Sequence, residues 1–315
     1  MNEDIFETKP QVKKSKLNVL PQNPEGQIEI GAVSSGRFPS WLHRKIHKGS
    51  ILGNTSKILS KNRMHTVCEE AKCPNLLECW SQKTATFLAM GKSCTRNCGF
   101  CDIDFTRVAK DLDPEEPQRL AQSAKELELK HVVVTMVARD DLFDGGAQHL
   151  ANIIKELRKE CPNSTVEVLT SDFMGSFESV DVVLKENPEV FNHNIETVRS
   201  LTPRVRHKAT YERTLSILSY VSQKRKDIKV KSGLMVGLGE SVEEVKETLR
   251  DLKEAGCSIV TIGQYLQASK KKLLVKEFIT PEQFKAYEEY GKSIGLKHVF
   301  SGPFVRSSYH AAEFA

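Results

Sequence analysis

The chain has no uninterrupted apolar run of about eighteen residues, so nothing in it reads as a spanning helix. It has no basic-then-apolar leader. It opens Met1, Asn2, Glu3, Asp4, too acidic for an organelle transit peptide, so the expectation is a cytoplasmic chain without membrane insertion. No GxGxxG follows the first strand-like segment, which argues against a dinucleotide fold. No zinc-finger, helicase or RNA-binding signature is present, so no nucleic-acid partner is expected. Internal repeats and low-complexity segments are also absent. What is present is a 315-residue chain, 39% hydrophobic and 28% charged, enough for the core of one large domain or two modest ones. It carries eight cysteines, and in a reducing compartment that number points to metal binding or thiol chemistry rather than a disulfide framework.

The net charge of +5 is unevenly placed. Residues 1–64 hold eleven Lys/Arg against five Asp/Glu, and the rest of the chain sums to −1. A basic segment of this kind suits an acidic protein partner or a phosphate, or is simply a solvated extension. Residues 1–30, punctuated by Pro10, Pro21 and Pro24, read as extended, and residues 36–63 read as an arm packing on a main domain.

From residue 84 the pattern changes. Strand-length apolar segments recur at 84–90, 131–137, 164–170, 189–193, 227–237 and 258–266. Between and after them come amphipathic stretches near 116–128, 146–160, 175–187, 210–224, 241–256 and 281–295. In the stretch 146–160, Leu150, Ile153, Ile154 and Leu157 fall three or four apart and form one stripe. Such alternation predicts βα units and a parallel sheet. The fold class expected is α/β, a partial (β/α)6 TIM-like barrel with N-terminal and C-terminal extensions. Its divisions are 1–83, 84–297 and 298–315. In that architecture the loops after the strands carry the chemistry.

Six of the eight cysteines fall within 34 residues, as two triplets. Cys68, Cys73 and Cys79 are spaced Cx4Cx5C, and Cys94, Cys98 and Cys101 are spaced Cx3Cx2C. Thiolates this dense select soft metals. A structural zinc site asks for four ligands, usually as CxxC pairs, and neither triplet provides that set. Three thiolates suit a cubane cluster with one iron left for another ligand. Cys161 and Cys257 stand alone near helix ends and read as small buried hydrophobes.

The Cx3Cx2C triplet follows the first barrel strand, with Thr95, Arg96, Asn97, Gly99 and Phe100 around its cysteines. It resembles the motif of the radical S-adenosylmethionine enzymes. Residues 68–75 (CEEAKCPN), Glu78 and Cys79, with Arg306, Ser307, Ser308 and Tyr309 near the end, are similar to the auxiliary-cluster motifs of the lipoyl synthase family. The likeness runs from Arg37–Leu42 through Tyr309. It includes Arg139–Gly146 (RDDLFDGG), Asn192, His193, Asn194 and Glu196, and Gly263–Leu266. The chain departs from the family where a proline, a histidine and another proline are usual: here stand Ala268, Lys272 and Leu274.

The resemblance implies two [4Fe–4S] clusters and S-adenosyl-L-methionine as cofactors. Cys94, Cys98 and Cys101 would hold the cluster that cleaves S-adenosylmethionine to a 5′-deoxyadenosyl radical. Cys68, Cys73, Cys79 and Ser308 would hold an auxiliary cluster that donates sulfur. The implied reaction inserts two sulfur atoms at C6 and C8 of an octanoyl chain on a lipoyl carrier domain. Unactivated C–H bonds give acid–base catalysis no purchase, so a radical is the suitable tool. Implied partners are octanoylated carrier domains (the glycine cleavage H protein and 2-oxoacid dehydrogenase E2 subunits), a low-potential flavodoxin or ferredoxin, and an iron–sulfur carrier for cluster repair. The basic N-terminal segment could assist carrier docking.

Further cofactor contacts are expected at Phe100, at Asp141 and Asp144, at Asn192, Asn194 and Glu196, and at Gly237 and Gly239. For Asp141 and Asp144 the alternative is helix capping, and for the two glycines it is a tight turn. Two other readings stay open: a different two-cluster sulfur-inserting enzyme similar to biotin synthase, and a non-enzymatic electron carrier or sensor.

Overall fold

The computed structural model describes residues 38–43, 51–71, 73–76, 79, 86–206, 208–308 and 311. The expected extended segment at 1–30, Arg37, Glu78 and Tyr309 lie outside them, as does most of the basic segment.

In chain order the elements are α1 (Ile51–Lys61), β1 (His65–Thr66), α2 (Val67–Glu70), β2 (Thr86–Ala89), β3 (Ser93–Cys94), β4 (Asp104–Phe105), α3 (Glu116–Glu126), β5 (His131–Met136), α4 (Ala147–Glu160) and β6 (Thr165–Leu169). There follow α5 (Phe177–Leu184), β7 (Val190–Asn192), α6 (Thr202–Val205), α7 (Tyr211–Lys224), β8 (Lys229–Val236), α8 (Val242–Glu254), β9 (Ile259–Gln264), α9 (Pro281–Ser293) and β10 (His298–Gly302). The six expected strands and the six expected helices are all present.

The strands lie in the order β1-β2-β5-β6-β7-β8-β9-β10. From β2 onward every neighbouring pair is parallel, while β1 adds antiparallel to β2. Sequential β-strand, helix, β-strand units advancing one place at a time produce this order, with helices over one face. The strands β2, β5 and β9 are buried along their whole length. That is why they read as continuous apolar runs and not as alternating ones. β1 and β10 remain at opposite edges, so the sheet curls as a partial barrel without closing. Residues 298–302 were expected to belong to the C-terminal segment. They form instead a seventh parallel strand, in register with β9 from His298↔Ile259 to Gly302↔Gly263.

The long helices α3, α4, α7 and α8 each bury one stripe. α4 buries Leu150, Ile153, Ile154 and Leu157, the spacing seen in the sequence. α8 buries Val245, Leu249 and Leu252 and starts at a capping box between Ser241 and Glu244, a device that contributes about 1 kcal/mol. Cys161 and Cys257 are buried at the ends of these two helices, and burial pushes both thiols up. Inside the barrel the core is not wholly apolar. Lys231 on β8 donates to both carboxylate oxygens of Glu167 on β6, at 2.9 Å each, and Asn192 Nδ2 donates to Glu167 Oε1 at 2.9 Å. All three are fully buried. The pair is compensated charge for charge, which such burial requires.

Candidate active site: one cavity lined by both cysteine triplets

The loop from β2 to α3 carries Cys94, Cys98 and Cys101, and four other strand-to-helix connections hold it. Cys94 ends β3, which pairs with β4 so that the segment folds back on itself. Thr95 Oγ1 donates to the Ala138 carbonyl at 2.9 Å and accepts from Asp140 N at 3.0 Å. Gly99 N donates to the Val205 carbonyl at 2.9 Å, and Leu273 N donates to the Gly99 carbonyl at 2.9 Å. The strongest tie is Arg96. Its Nε and Nη2 donate to both oxygens of Asp140 at 2.7 to 3.0 Å, and Nη2 also reaches Asp172 Oδ1 at 2.5 Å. Arg213 donates to the other oxygen of Asp172 at 3.1 Å. The paired guanidinium groups hold the Asp172 carboxyl well below the usual carboxylate range. Two bidentate-capable partners from separate βα loops thereby orient the cysteine loop.

The first triplet lies on and after α2, capped by Thr66 Oγ1 accepting from Glu69 N at 3.3 Å. Cys73 N donates to the Cys68 carbonyl at 3.0 Å, and Cys79 N donates to the Asn75 carbonyl at 2.9 Å, which coils the three cysteines together. The buried Asn75 then reaches across the chain: its Nδ2 donates to the Phe304 carbonyl at 2.7 Å. The segment after β10 is drawn in by this bond. It crosses β9 at Gly263, where a Cβ would stand 2.1 Å from the Val305 carbonyl oxygen. Only glycine permits that approach.

The result is a cavity of about 490 Å³ at the C-terminal ends of the strands. Cys68, Cys73, Cys79, Cys94, Cys98 and Cys101 all line it, and so does Ser308. Phe100, Asn194 and Glu196 line it as well. Asn194 Oδ1 is a buried acceptor with no partner among the described residues. Glu196 sits at φ +67°, and burial raises its carboxyl, opposed by nearby Arg206.

The other expected contacts stand elsewhere. Asp141 is drawn aside by Arg139, whose Nη2 donates to it at 2.7 Å. Asp144 accepts from Gly146 N at 2.9 Å and Gln148 N at 2.7 Å, capping α4. Asn192 gives its Nδ2 to Glu167, while its Oδ1 is a buried acceptor with no partner among the described residues. Gly237 and Gly239 adopt φ +96° and +112° in the turn after β8. At Gly237 a Cβ would meet Gln264 Nε2 at 2.2 Å and the Glu277 carbonyl at 2.4 Å. None of these five residues lines the cavity. For Asp141, Asp144 and the two glycines, ion pairing, capping and turn geometry take the group.

Three residues that sequence reasoning passed over do reach the site. Arg206 is buried with Nη1 donating to the Asn194 carbonyl at 2.8 Å, and it lines the cavity with Thr170. Asp172 braces the cysteine loop from beneath. They lie on different loops and carry no local motif, so no sequence signal marked them. His193, noted only within a motif, also lines the cavity. Burial and Arg206 push its imidazole down to about 4, so it is neutral at pH 7. Its Nδ1–H donates to the Thr170 carbonyl at 2.9 Å, leaving Nε2 to accept from Thr214 Oγ1 at 3.2 Å.

Burial disfavours the thiolate form at three of the six cysteines. Burial pushes Cys68 and Cys98 up to about 11 and Cys101 up to about 12. Protonated thiols of this kind become thiolates when a cation binds, which inverts the local electrostatics. Among the described residues no three His, Cys, Asp or Glu side chains converge on one point as ligands of a single ion must. A cubane asks for less, since each thiolate binds a separate iron.

Comparison with known proteins gives the family. The model of the radical SAM superfamily matches residues 88–252. A lipoyl synthase of Protochlamydia amoebophila (strain UWE25) is 62% identical over 301 residues, covering 95% of this chain and 93% of that protein. Another, from Chlamydia felis (strain Fe/C-56), is 53% identical over 295 residues, with 94% of each chain covered. Among solved structures, Streptococcus suis SuiB bound to S-adenosylmethionine superposes with a TM-score of 0.56 at 13% identity, over 72% of this chain and 53% of that one. The maturase HydG superposes with a TM-score of 0.51 at 15% identity, over 79% and 68%. These two likenesses speak for the fold alone. No helix among the described residues is long and apolar enough to cross a membrane. With near-full-length identity of this degree, and a Cx3Cx2C loop set on a partial barrel, the chain belongs to the lipoyl synthase family of the radical S-adenosylmethionine superfamily.

Proposed function

We propose that the protein is a sulfurtransferase that inserts two sulfur atoms at C6 and C8 of an octanoyl chain carried on a lipoyl domain. One observation carries the reading: six cysteines from two triplets, together with Ser308, border a single cavity. A radical generator and a sulfur source must both reach the same substrate carbon, and one shared cavity permits that.

The residues fit the groups that the family implies. Cys94, Cys98 and Cys101 would hold one [4Fe–4S] cluster, and Cys68, Cys73, Cys79 and Ser308 a second. When bound, these clusters with S-adenosylmethionine supply one-electron cleavage of the sulfonium, hydrogen abstraction from unactivated carbon, and sulfur. The chain's own part is orientation and exclusion. Arg96, braced by Asp140 and Asp172, holds the Cx3Cx2C loop. The unpartnered Asn194 Oδ1 would be free to accept from an amino or hydroxyl donor of the cofactor, and Glu196 would add a second acceptor. Arg206 offers positive charge to a carboxylate. Leu88, Met136, Leu234, Met235 and Val305 supply apolar lining that suits an alkyl chain and keeps water out. Ser308 offers an oxygen, a poorer match to iron than thiolate and therefore an easier ligand to release.

The test is anaerobic reconstitution with an octanoyl-lysine peptide, dithionite and S-adenosylmethionine. The expected product shows the mass gain of two sulfurs replacing two hydrogens. Deoxyadenosine without sulfur insertion would retain the radical chemistry and remove the lipoyl assignment.

A further inference from the structure

We propose that the lysine-rich loop 266–276 is a docking surface for the folded carrier domain, and that it recognises an acidic face of that domain. The inference rests on the function proposed above and concerns how the substrate is delivered. The loop reads LQASKKKLLVK, with four lysines and no acidic residue. It begins inside the site: Leu266, Gln267 and Ala268 line the cavity. It then leaves the cavity at the mouth. Lys270 and Lys271 are exposed, and neither forms an ion pair with a described residue.

The loop is built into the rim. Ser269 Oγ donates to Asp102 Oδ1 at 2.7 Å, next to Cys101. Leu273 N donates to the Gly99 carbonyl at 2.9 Å, and Gly99 leaves room for Leu273, whose Cδ1 would stand 2.8 Å from a Cβ there. Tyr265 OH donates to the Leu273 carbonyl at 2.7 Å, and Gln267 Nε2 to the Lys272 carbonyl at 2.8 Å. Lys272, half-buried, meets the exposed Asn97 at Oδ1, 3.5 Å away. The backbone is therefore held from both ends on the cysteine loop, and Lys270 and Lys271 are displayed at its outer edge. Arg204, exposed on the adjoining segment, extends the same positive sign.

An octanoyl chain tethered through a lysine to a folded domain can reach the cavity only if that domain sits over the mouth. Its nearest surface then faces this loop. Unpaired, preorganised cations at that place complement an acidic face and steer encounter more than they add to affinity. They would do neither for a small untethered substrate. Lysines also suit nucleic acid in general, but here they stand on a loop that begins in the lining of a cavity for an alkyl chain, which favours the protein partner.

The experiment compares wild type with Lys270→Glu/Lys271→Glu in the reconstituted enzyme. Two substrates are used: an octanoylated lipoyl carrier domain of net negative charge, and a short octanoyl-lysine peptide of zero net charge. For the carrier domain, KM in low salt should rise at least about ten-fold in the variant, and the gap should close as salt exceeds about 0.3 M. KM and kcat for the peptide should stay within about two-fold. A milder Lys270→Gln/Lys271→Gln enzyme should fall between, and both should keep the wild-type melting temperature. Equal carrier KM in variant and wild type, or equal losses on carrier and peptide, would overturn the docking role. No sulfur insertion by wild type on either substrate would overturn the proposed function and the docking role with it.

Discussion

Consider replacing Asp172 with asparagine. The side chain is fully buried and accepts from Arg96 Nη2 at 2.5 Å, from Arg213 Nη1 at 3.1 Å and from Met174 N at 3.1 Å. Asparagine keeps the shape and one acceptor but removes the charge that both guanidiniums face. Breaking a buried ion pair by removing one partner costs about 3–5 kcal/mol, because the other charge stays buried. Arg96 keeps Asp140, whose side chain is 18% exposed, so part of the loss is recovered. A net cost of about 2–3 kcal/mol follows, and for a chain of this size that lowers Tm by roughly 3–5 °C. The damage should be local in function. Arg96 lies between Cys94 and Cys98, so loss of its brace loosens that loop, while Cys68, Cys73 and Cys79 are tied through Asn75 and Phe304 instead. The expected outcome is a reconstituted variant with depleted iron at the Cx3Cx2C site and normal loading at the other. Iron content and electron paramagnetic resonance, with and without S-adenosylmethionine, read the two clusters separately. Wild-type Tm together with full loading of both would refute the reasoning, as would equal loss from both.

Three further outcomes follow from the same geometry. His193 has its folded-state value pushed down to about 4, below the ordinary value of about 6.5, so the unfolded chain binds more protons between those limits; stability is then fully present above about pH 6.5 and falls by roughly 3 kcal/mol as pH drops toward 4. Chemical denaturation from pH 7 to 4.5 should show a slope that flattens in His193→Gln, and an unchanged slope counts against a buried neutral imidazole. Ser308→Ala should alter the spectrum of the auxiliary cluster and abolish sulfur insertion while S-adenosylmethionine cleavage continues; retained insertion removes Ser308 from the site. Gly263→Ala places a Cβ 2.1 Å from the Val305 carbonyl, so the C-terminal segment must shift, at a cost of about 1–3 kcal/mol. Its signature should match that of Ser308→Ala, and a cluster spectrum like wild type would show that the crossing is not needed.

Much of this protein was legible in one dimension. Strand-length apolar runs alternating with 3.6-period stripes predicted the βα units, because a parallel strand is covered on both faces and a surface helix on one. The cysteine spacings pointed to clusters because ligand type is a property of residues, not of their placement. Tertiary structure decided the rest. Residues 298–302 carry too short an apolar signal to declare a strand, and become one because β9 has a free edge beside them. Asp141, Asp144, Asn192, Gly237 and Gly239 look like ligand contacts in the sequence, yet a nearer arginine, a helix end, the Glu167 carboxylate and a single turn engage them. Arg206 and Asp172 carry no motif at all and reach the site only because successive loops meet at one end of the sheet. The segment ending in Ser308 joins the first triplet for the same kind of reason. Asn75 bonds the backbone at Phe304, and Gly263 leaves the space for it to cross. Local chemistry and periodicity are written residue by residue, but which groups share a cavity depends on contacts between positions far apart in the chain, as Asn75 and Phe304 are, and only the folded chain brings those together.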